Sequence, residues 1–347
     1  MRMNKSLSEL SLNISEQLYR DIPCLSYSSI AKYEKGGFGA IAHLNDIQES
    51  DALLFGSIVD TLITEGPDKF KEKFAVADFK LPSEALTLLT IHLTKNSDKD
   101  TLDEVSNDEI LSACNELEYC AKMSNDTRVR KVREGCTDYF NGLQACKGRK
   151  VISGEVYQDA IATVGALKNH ALVGKILGTT NDNTEFLYQQ KFKTVLEGLE
   201  VKCMTDLLIV LHDSKTIIPI DLKTSSFPEY DFPKRYLENR YDIQSRLYYR
   251  ILKDVISKDE YFKDFTVGTF KFIVVNKISR NPLVFRDEKC AVEGDITLTF
   301  NGGRNFVLRD PVTIGKELQE YLNSQSTVPS GIELNHSNNI YERLQLL

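Results

Sequence analysis

The spacing of apolar residues is helical over the first half of the chain. A helix is predicted to begin after Ser26, where a serine can cap the first turn, and a second one follows Asp51. The polar stretch 81–150 is predicted to form helical pieces, with the acidic segment 98–109 as an exposed loop or insertion. A firmer helix follows Ser153, because apolar residues recur there every three or four positions.

The apolar period then shortens, which indicates strands. Three segments rich in β-branched residues predict a strand meander, namely 185–195, 199–210 and 216–222, and a turn over 212–215 joins the last two. A helix is expected over 234–256. Further strands are predicted over 266–276, 283–286, 295–300 and 305–308, and a last helix over 312–323. This order of elements predicts an α/β fold with a mixed central sheet flanked by helices.

No linker marks a clear domain boundary, although the element types change along the chain. We expect a helical N-terminal part with an insertion over 1–150 and a core with the C-terminal strands over 151–325, together forming one continuous domain. A polar tail covers 326–347.

Composition narrows the class of protein. The chain has 347 residues, of which 41% are apolar and 27% charged, and this balance excludes collagen-like, low-complexity and wholly disordered proteins. No run of about 18 apolar residues occurs, so we expect no membrane span. Charged residues are mixed with the apolar ones from Met1 to Arg20, so we expect no secretory signal and a cytoplasmic protein. The seven scattered cysteines include no C-x-x-C pair and are expected to be reduced. The net charge of −7 argues against general nucleic-acid binding but leaves local clusters open.

The most informative segment is the third strand of the meander. On a strand Asp221 and Lys223 project from one face, while Ile220 and Leu222 project from the other. The chain contains four Asp-x-Lys triplets, but this one alone ends an apolar strand. Pro219 lacks a ladder donor, which favours an edge or a bulge.

A second acid interrupts the apolar strand before this one. If the two strands pair around the turn at 212–215, Asp206 lies opposite Asp221. Two adjacent carboxylates repel each other and raise a pKa unless a cation lies between them. Oxygen ligands without His or Cys suit Mg²⁺ or Mn²⁺. The alternative is a pair of solvent-facing acids on a half-exposed sheet.

Downstream, Gln244 and Tyr248 share one helical face. In the order Asp206, Asp221-Leu-Lys223, Gln244-x-x-x-Tyr248, the sequence resembles the signature of the PD-(D/E)XK nuclease superfamily, in particular the RecB and RecE type of phage and bacterial exonuclease. The resemblance covers roughly 25–285 and includes weaker matches at Ser26-Tyr-Ser-Ser-Ile, Phe55 to Leu62, Glu185 and Lys271 to Lys277.

The resemblance implies a restriction-endonuclease-like core and hydrolysis of DNA with Mg²⁺, for which Mn²⁺ can substitute. The activity it implies is an exodeoxyribonuclease of phage or prophage recombination. Lys223 would orient or deprotonate the attacking water, and Gln244 and Tyr248 would position the DNA strand near the metal. No iron–sulfur cluster is expected, because Cys290 alone cannot supply the C-terminal cysteine group of the cluster-bearing relatives.

The metal ligands implied by the resemblance come from several elements. Asp206 and Asp221, with the Leu222 carbonyl, would hold one ion, and Glu185 and Asp60 would complete a second position. Asp60 stands where the family has histidine. It could keep a metal contact through oxygen, mark weakened chemistry, reflect a misalignment, or be an exposed helix-surface acid.

DNA is the expected partner, and Arg235, Arg240 and Arg246 are the candidate phosphate contacts because they neighbour Gln244 in sequence. The resemblance further implies a homo-oligomer, which could be a ring around DNA as in processive exonucleases, a single-strand annealing protein as a second partner, and the cytoplasm of a host cell. Two alternatives stay open. The chain could be a catalytically degraded nuclease acting as a DNA-binding or scaffolding subunit, or a metal-dependent phosphodiesterase acting on nucleotides.

Overall fold

A computed structural model describes residues 4–44, 46, 50–300, 303 and 305–323. The contacts divide the described residues into two compact units, one drawn from 1–60 and 163–347 and the other from 61–162. The described residues up to Asp60 therefore belong to the unit that contains the sheet, and not with the helical part expected over 1–150. The polar tail expected over 326–347 lies outside the described residues.

The helices and strands follow the predicted alternation of periods. The helices are α1 (Glu16–Asp21), α2 (Tyr27–Gly36), α3 (Asp51–Thr64), α4 (Gly66–Lys73), α5 (Glu84–Asn96), α6 (Asn107–Glu116), α7 (Asn125–Ala145), α8 (Gly154–Asn169), α9 (Val173–Ile176), α10 (Phe232–Glu238), α11 (Tyr241–Ser257) and α12 (Pro311–Asn323). The strands are β1 (Phe74–Val76), β2 (Lys150–Ile152), β3 (Thr184–Leu196), β4 (Leu199–Leu211), β5 (Thr216–Ser225), β6 (Thr266–Val267), β7 (Phe270–Asn276), β8 (Leu283–Asp287), β9 (Ile296–Thr299) and β10 (Asn305–Leu308).

The central sheet is mixed, as the sequence predicts. Its strand order is β3-β4-β5-β7-β8, and the short β6 also pairs with β5. The meander β3-β4-β5 is antiparallel, whereas β7 runs parallel to β5 after the α11 crossover. The pairing of β4 with β5 runs from Leu207 with Ile220 to Leu211 with Thr216, which is the register expected from the turn.

Pro219 lies in a central strand, contrary to the edge or bulge that it favours in sequence. On one side it pairs with Leu208 of β4. On the other side the β6 ladder ends at Ile217 and the β7 ladder begins at Ile220, so Pro219 falls in the gap between them. The missing N–H therefore removes no bond from either ladder.

The single helix expected over 234–256 is two helices. The chain breaks at Arg240, which has a left-handed φ of 56° and precedes α11. The Arg240 guanidinium bonds to Asp242 at 2.9 Å and to Glu34 at 2.6 Å. These buried ion pairs hold a backbone conformation that arginine rarely adopts.

A large apolar core lies between the sheet and the helices α2, α11 and α12 of the first unit. The second unit has its own core, built by α5, α6 and α7 around residues such as Val132 and Phe140. The acidic segment 98–109 is anchored in that core by Leu102 and Val105, which are 0% and 1% exposed, and so is not a fully exposed loop.

The cysteines are free thiols, and five of the seven are buried. Within the described ranges, no helix combines the length and the apolar character needed to cross a membrane.

Candidate active site

Two acids from neighbouring strands meet in the middle of the sheet. Asp206 of β4 precedes the first paired residue, Leu207, and Asp221 of β5 follows its partner. The backbone N–H of Leu222 donates to Asp206 Oδ2 at 2.8 Å, which links the two strands at this point. Asp221 is buried, with 3% of its surface exposed. The β4–β5 register therefore brings the two carboxylates together.

The environment of Asp206 disfavours its charge. Burial raises the pKa of the Asp206 carboxyl well above its usual range, and the negative charges of Asp221 and Asp60 raise it further. The Lys223 ammonium and the Leu222 amide act in the opposite direction without cancelling the effect. The charge of one ammonium therefore does not offset the burial and mutual repulsion of these carboxylates.

Lys223 forms an ion pair within the site. Its Nζ lies 2.6 Å from Asp221 Oδ2, and the two side chains are 20% and 5% exposed. The ammonium also lies 4.7 Å from the centroid of the Tyr241 ring. Burial disfavours its charge, but Asp221 and the nearby tyrosines outweigh this and raise the pKa of Lys223 above its usual value. The ammonium form is therefore held beside the acids.

Gln244 contacts the acid directly. Its Nε2 donates to Asp221 Oδ1 at 2.5 Å, and the side chain is 3% exposed. Its Oε1 is buried and has no hydrogen-bond partner within the part of the chain that the structure describes. Tyr248, one turn later, lies in the core with its ring centroid 6.2 Å from that of Phe270. Gln244 thus orients Asp221, while Tyr248 packs behind the acids.

Asp60 reaches the same site from α3. Gln189 Nε2 donates to Asp60 Oδ2 at 3.0 Å, and the Asp60 charge contributes to the raised pKa of Asp206. One turn before it, Gly56 lies so close to β5 that an added Cβ would be 3.0 Å from Thr224 Oγ1. The close approach of α3 to the strand carries Asp60 to the acids.

Gln189 is the site residue that sequence reasoning missed. It lies opposite Asp206 between paired residues of β3 and β4, and its φ of 51° is left-handed. Backbone of this kind within a strand is uncommon for a residue with a Cβ. The signal that could have found it is the two-residue turn Glu197-Gly198, whose φ values of 49° and 87° fit a hairpin turn that fixes the β3–β4 register.

Glu185, expected as a metal ligand, is not brought to these acids. It pairs with Val210 on β3 and lies four residues from Gln189, about 13 Å along the strand. Its carboxylate accepts hydrogen bonds from Ser6 Oγ and Leu7 N, each at 3.2 Å, and lies 3.3 Å from His212 Nε2. The strand register therefore assigns Glu185 to a separate buried cluster.

Two of the three arginines expected to contact DNA are internal. Arg240 is 5% exposed and paired with acids, and Arg246 is 0% exposed and donates to carbonyls, among them Val292 O at 3.1 Å. Neither can reach a phosphate from these positions, so this expectation is corrected. Arg235 is 28% exposed and is paired with Glu238 at 2.5 Å. Its guanidinium carbon lies 3.4 Å from the centroid of the Phe227 ring.

Two carboxylates of this site could hold a metal ion. In the described ranges no three His, Cys, Asp or Glu side chains are arranged to hold a metal ion. Mg²⁺ characteristically keeps several waters and binds one or two carboxylates together with substrate phosphates. The pair Asp206 and Asp221 meets that requirement, whereas a second position that includes Glu185 does not. For Leu222, the contact that the structure records is its amide on Asp206.

The chain is similar to known proteins in structure, and not in sequence. No family model matches the chain, and no curated protein matches it. Among solved structures, the chain is similar to the crystal structure of a protein from Eubacterium rectale described as a "putative exonuclease", with 13% sequence identity and a TM-score of 0.40. The match covers 90% of this chain and 84% of that one.

Proposed function

We propose that this protein is a metal-dependent nuclease that hydrolyses phosphodiester bonds of DNA. In its finer form, the proposal is a Mg²⁺-dependent exodeoxyribonuclease that acts in phage or prophage recombination. The observation that carries it is the pair of crowded carboxylates, Asp206 and Asp221, with the Lys223 ammonium 2.6 Å from Asp221. Crowded acids beside a held cation form a site suited to a divalent ion and a phosphate.

Each residue has a role that follows from its contacts. Asp206 and Asp221 would hold the ion, and Gln244 Nε2 keeps Asp221 in one orientation. When bound, Mg²⁺ would polarise the scissile phosphate and lower the pKa of a water ligand. The Lys223 ammonium, fixed beside Asp221, would stabilise the negative charge that develops on the attacked phosphate.

The test measures release of nucleotides from a linear end-labelled duplex with Mg²⁺, with Mn²⁺ and with chelator. Asp221→Asn and Lys223→Met should abolish release at a temperature where circular dichroism shows that each variant is folded. The chain offers a matched control, because Asp213 and Lys215 form a second Asp-x-Lys triplet that lies exposed in the β4–β5 turn. Asp213→Asn and Lys215→Met should retain wild-type activity.

Metal binding is measured separately by calorimetric titration with Mn²⁺. Asp221→Asn should lose most of the heat, and unchanged affinity in that variant would contradict the assignment of the site. A folded wild-type protein that binds duplex DNA and releases no nucleotide with either ion would instead favour the DNA-binding or scaffolding subunit.

A further inference from the structure

Three large apolar side chains are exposed together on the loops that follow β5 and β7. Tyr230 is 78% exposed, Ile278 76% and Phe227 46%. The two strands run parallel and are hydrogen-bonded to each other, so both loops leave the same edge of the sheet. A group of exposed apolar side chains at one place marks an interaction surface more often than scattered ones do.

Hydrogen bonds tie the two loops to each other. Asn276 Nδ2 donates to the Phe227 carbonyl at 2.8 Å, and Lys277 N donates to the Ser225 carbonyl at 3.0 Å. Asn276 Oδ1 also accepts from Ile278 N at 2.7 Å. These bonds fix the loop backbone, so the exposed side chains extend from an ordered backbone.

The surface adjoins the proposed active site and includes a planar cation. Phe227 follows Lys223 by four residues, so their Cα atoms are at most about 14 Å apart. The Arg235 guanidinium covers one face of the Phe227 ring at 3.4 Å. Flat aromatic rings and a guanidinium plane are the groups on which unpaired bases stack in nucleic-acid complexes.

We propose that Phe227, Tyr230 and Ile278, with Arg235, form a stacking platform for unpaired bases of a DNA strand beside the site. The identity of the ligand rests on the proposed nuclease function, which this inference deepens by naming single-stranded ends as the part of the substrate that is bound. The charges around the platform nearly balance, because 226–239 and 277–282 together carry four cations, Lys234, Arg235, Lys277 and Arg280, and three acids, Glu229, Asp231 and Glu238. The platform therefore holds bases by stacking more than by neutralising phosphates.

The test uses short single-stranded oligonucleotides that carry 2-aminopurine, in chelator, so that binding is measured without cleavage. Tyr230→Ala and Phe227→Ala should each weaken binding at least about fivefold, as expected for one stacked base. Both should reduce the quenching of 2-aminopurine. Phe300→Ala is the matched control, because Phe300 is also 46% exposed and directly follows β9. Its affinity and quenching should equal those of the wild type.

The salt dependence separates stacking from charge. The loss caused by Tyr230→Ala should be the same at low and high salt, because a neutral side chain releases no counterions. Wild-type affinity and quenching in Tyr230→Ala and Phe227→Ala would overturn the platform and leave the surface to a protein partner. An equal loss in Phe300→Ala would overturn it too.

Cleavage of duplex DNA with Mg²⁺, measured in parallel, keeps this proposal distinct from the nuclease itself. Quenching that depends on Tyr230 in a protein that cuts nothing would support the platform while the nuclease proposal fails. Cleavage by the wild type together with unaffected platform variants would overturn the platform alone.

Discussion

Removing the Lys223 ammonium tests the charge balance of the site most directly. Lys223→Met keeps most of the aliphatic chain and leaves the Asp221 side chain, 5% exposed, without its ion-pair partner at 2.6 Å. Breaking a buried pair in this way costs about 3–5 kcal/mol, because the remaining charge is uncompensated. With about 2–4 °C in Tm per kcal/mol for domains of 150–250 residues, the metal-free variant should unfold about 6–20 °C below the wild type.

Two further measurements identify the unpaired carboxylate as the cause. Adding Asp221→Asn to Lys223→Met removes the stranded charge, so the double variant should unfold at a higher temperature than Lys223→Met alone. A saturating divalent ion should also raise the Tm of Lys223→Met by more than it raises that of the wild type. The reason is that the ion replaces the missing positive charge as well as binding the acids.

Thermal unfolding monitored by circular dichroism, with and without Mg²⁺, is the assay. Lys234→Met is the control, since Lys234 lies 3.8 Å from Glu238 in a pair whose side chains are 70% and 42% exposed. Such a surface pair contributes at most about 1 kcal/mol. A Lys223→Met protein that unfolds with the control, or a double variant no more stable than Lys223→Met, would refute the reasoning.

Three other substitutions probe the crowded acids. Asp206→Asn should stabilise the metal-free protein at pH 7 but not at pH 3. The pKa of Asp206 is raised in the folded protein, so the folded state loses stability as the pH rises above the usual pKa of a carboxyl group, and the substitution removes that loss. An equal gain at both pH values in thermal unfolding would contradict this. Asp60→Asn should lower the rate of Mg²⁺-supported cleavage at least about tenfold, which corresponds to about 1.4 kcal/mol of transition-state stabilisation. It should also stabilise the metal-free protein. Near-wild-type rates with unchanged stability would rule out a role for Asp60. Gln189→Glu should lower the Tm of the metal-free protein and enlarge the rise in Tm that Mg²⁺ causes. Gln190→Glu, at the next position of the strand, should enlarge that rise less. Equal responses of the two variants would contradict the placement of Gln189 at the site.

The β4–β5 part of the site is predictable from sequence because a short turn fixes a strand register. Once the turn at 212–215 is recognised, the period of two along a strand determines which residues face each other. This is why the sequence alone suffices to pair Asp206 with Asp221. The order of helices and strands follows in the same way from the apolar period.

The sequence misplaces the arginines because nearness in sequence is not nearness in space. Arg246 follows Gln244 by two residues, which is about 200° around a helix, so it must point away from the acid that Gln244 contacts. That much the helical period could have shown. The burial of Arg240 could not be foreseen, since it depends on Glu34 of α2, which is 206 residues earlier in the chain.

On β3, the strand register, and not the residue type, determines which side chain lies beside Asp206. Glu185 fits the pattern of an acid that follows a helix, but the turn at Glu197-Gly198 places Gln189, and not Glu185, opposite Asp206. A neutral amide lies at that position, and it donates a hydrogen bond to Asp60 of α3. The third acid near Asp206 therefore comes from a helix and is oriented by a strand residue, so Asp60 and Gln189 act as one unit. Because this contact orients Asp60 towards Asp206, its charge adds to the crowding that raises the pKa of Asp206.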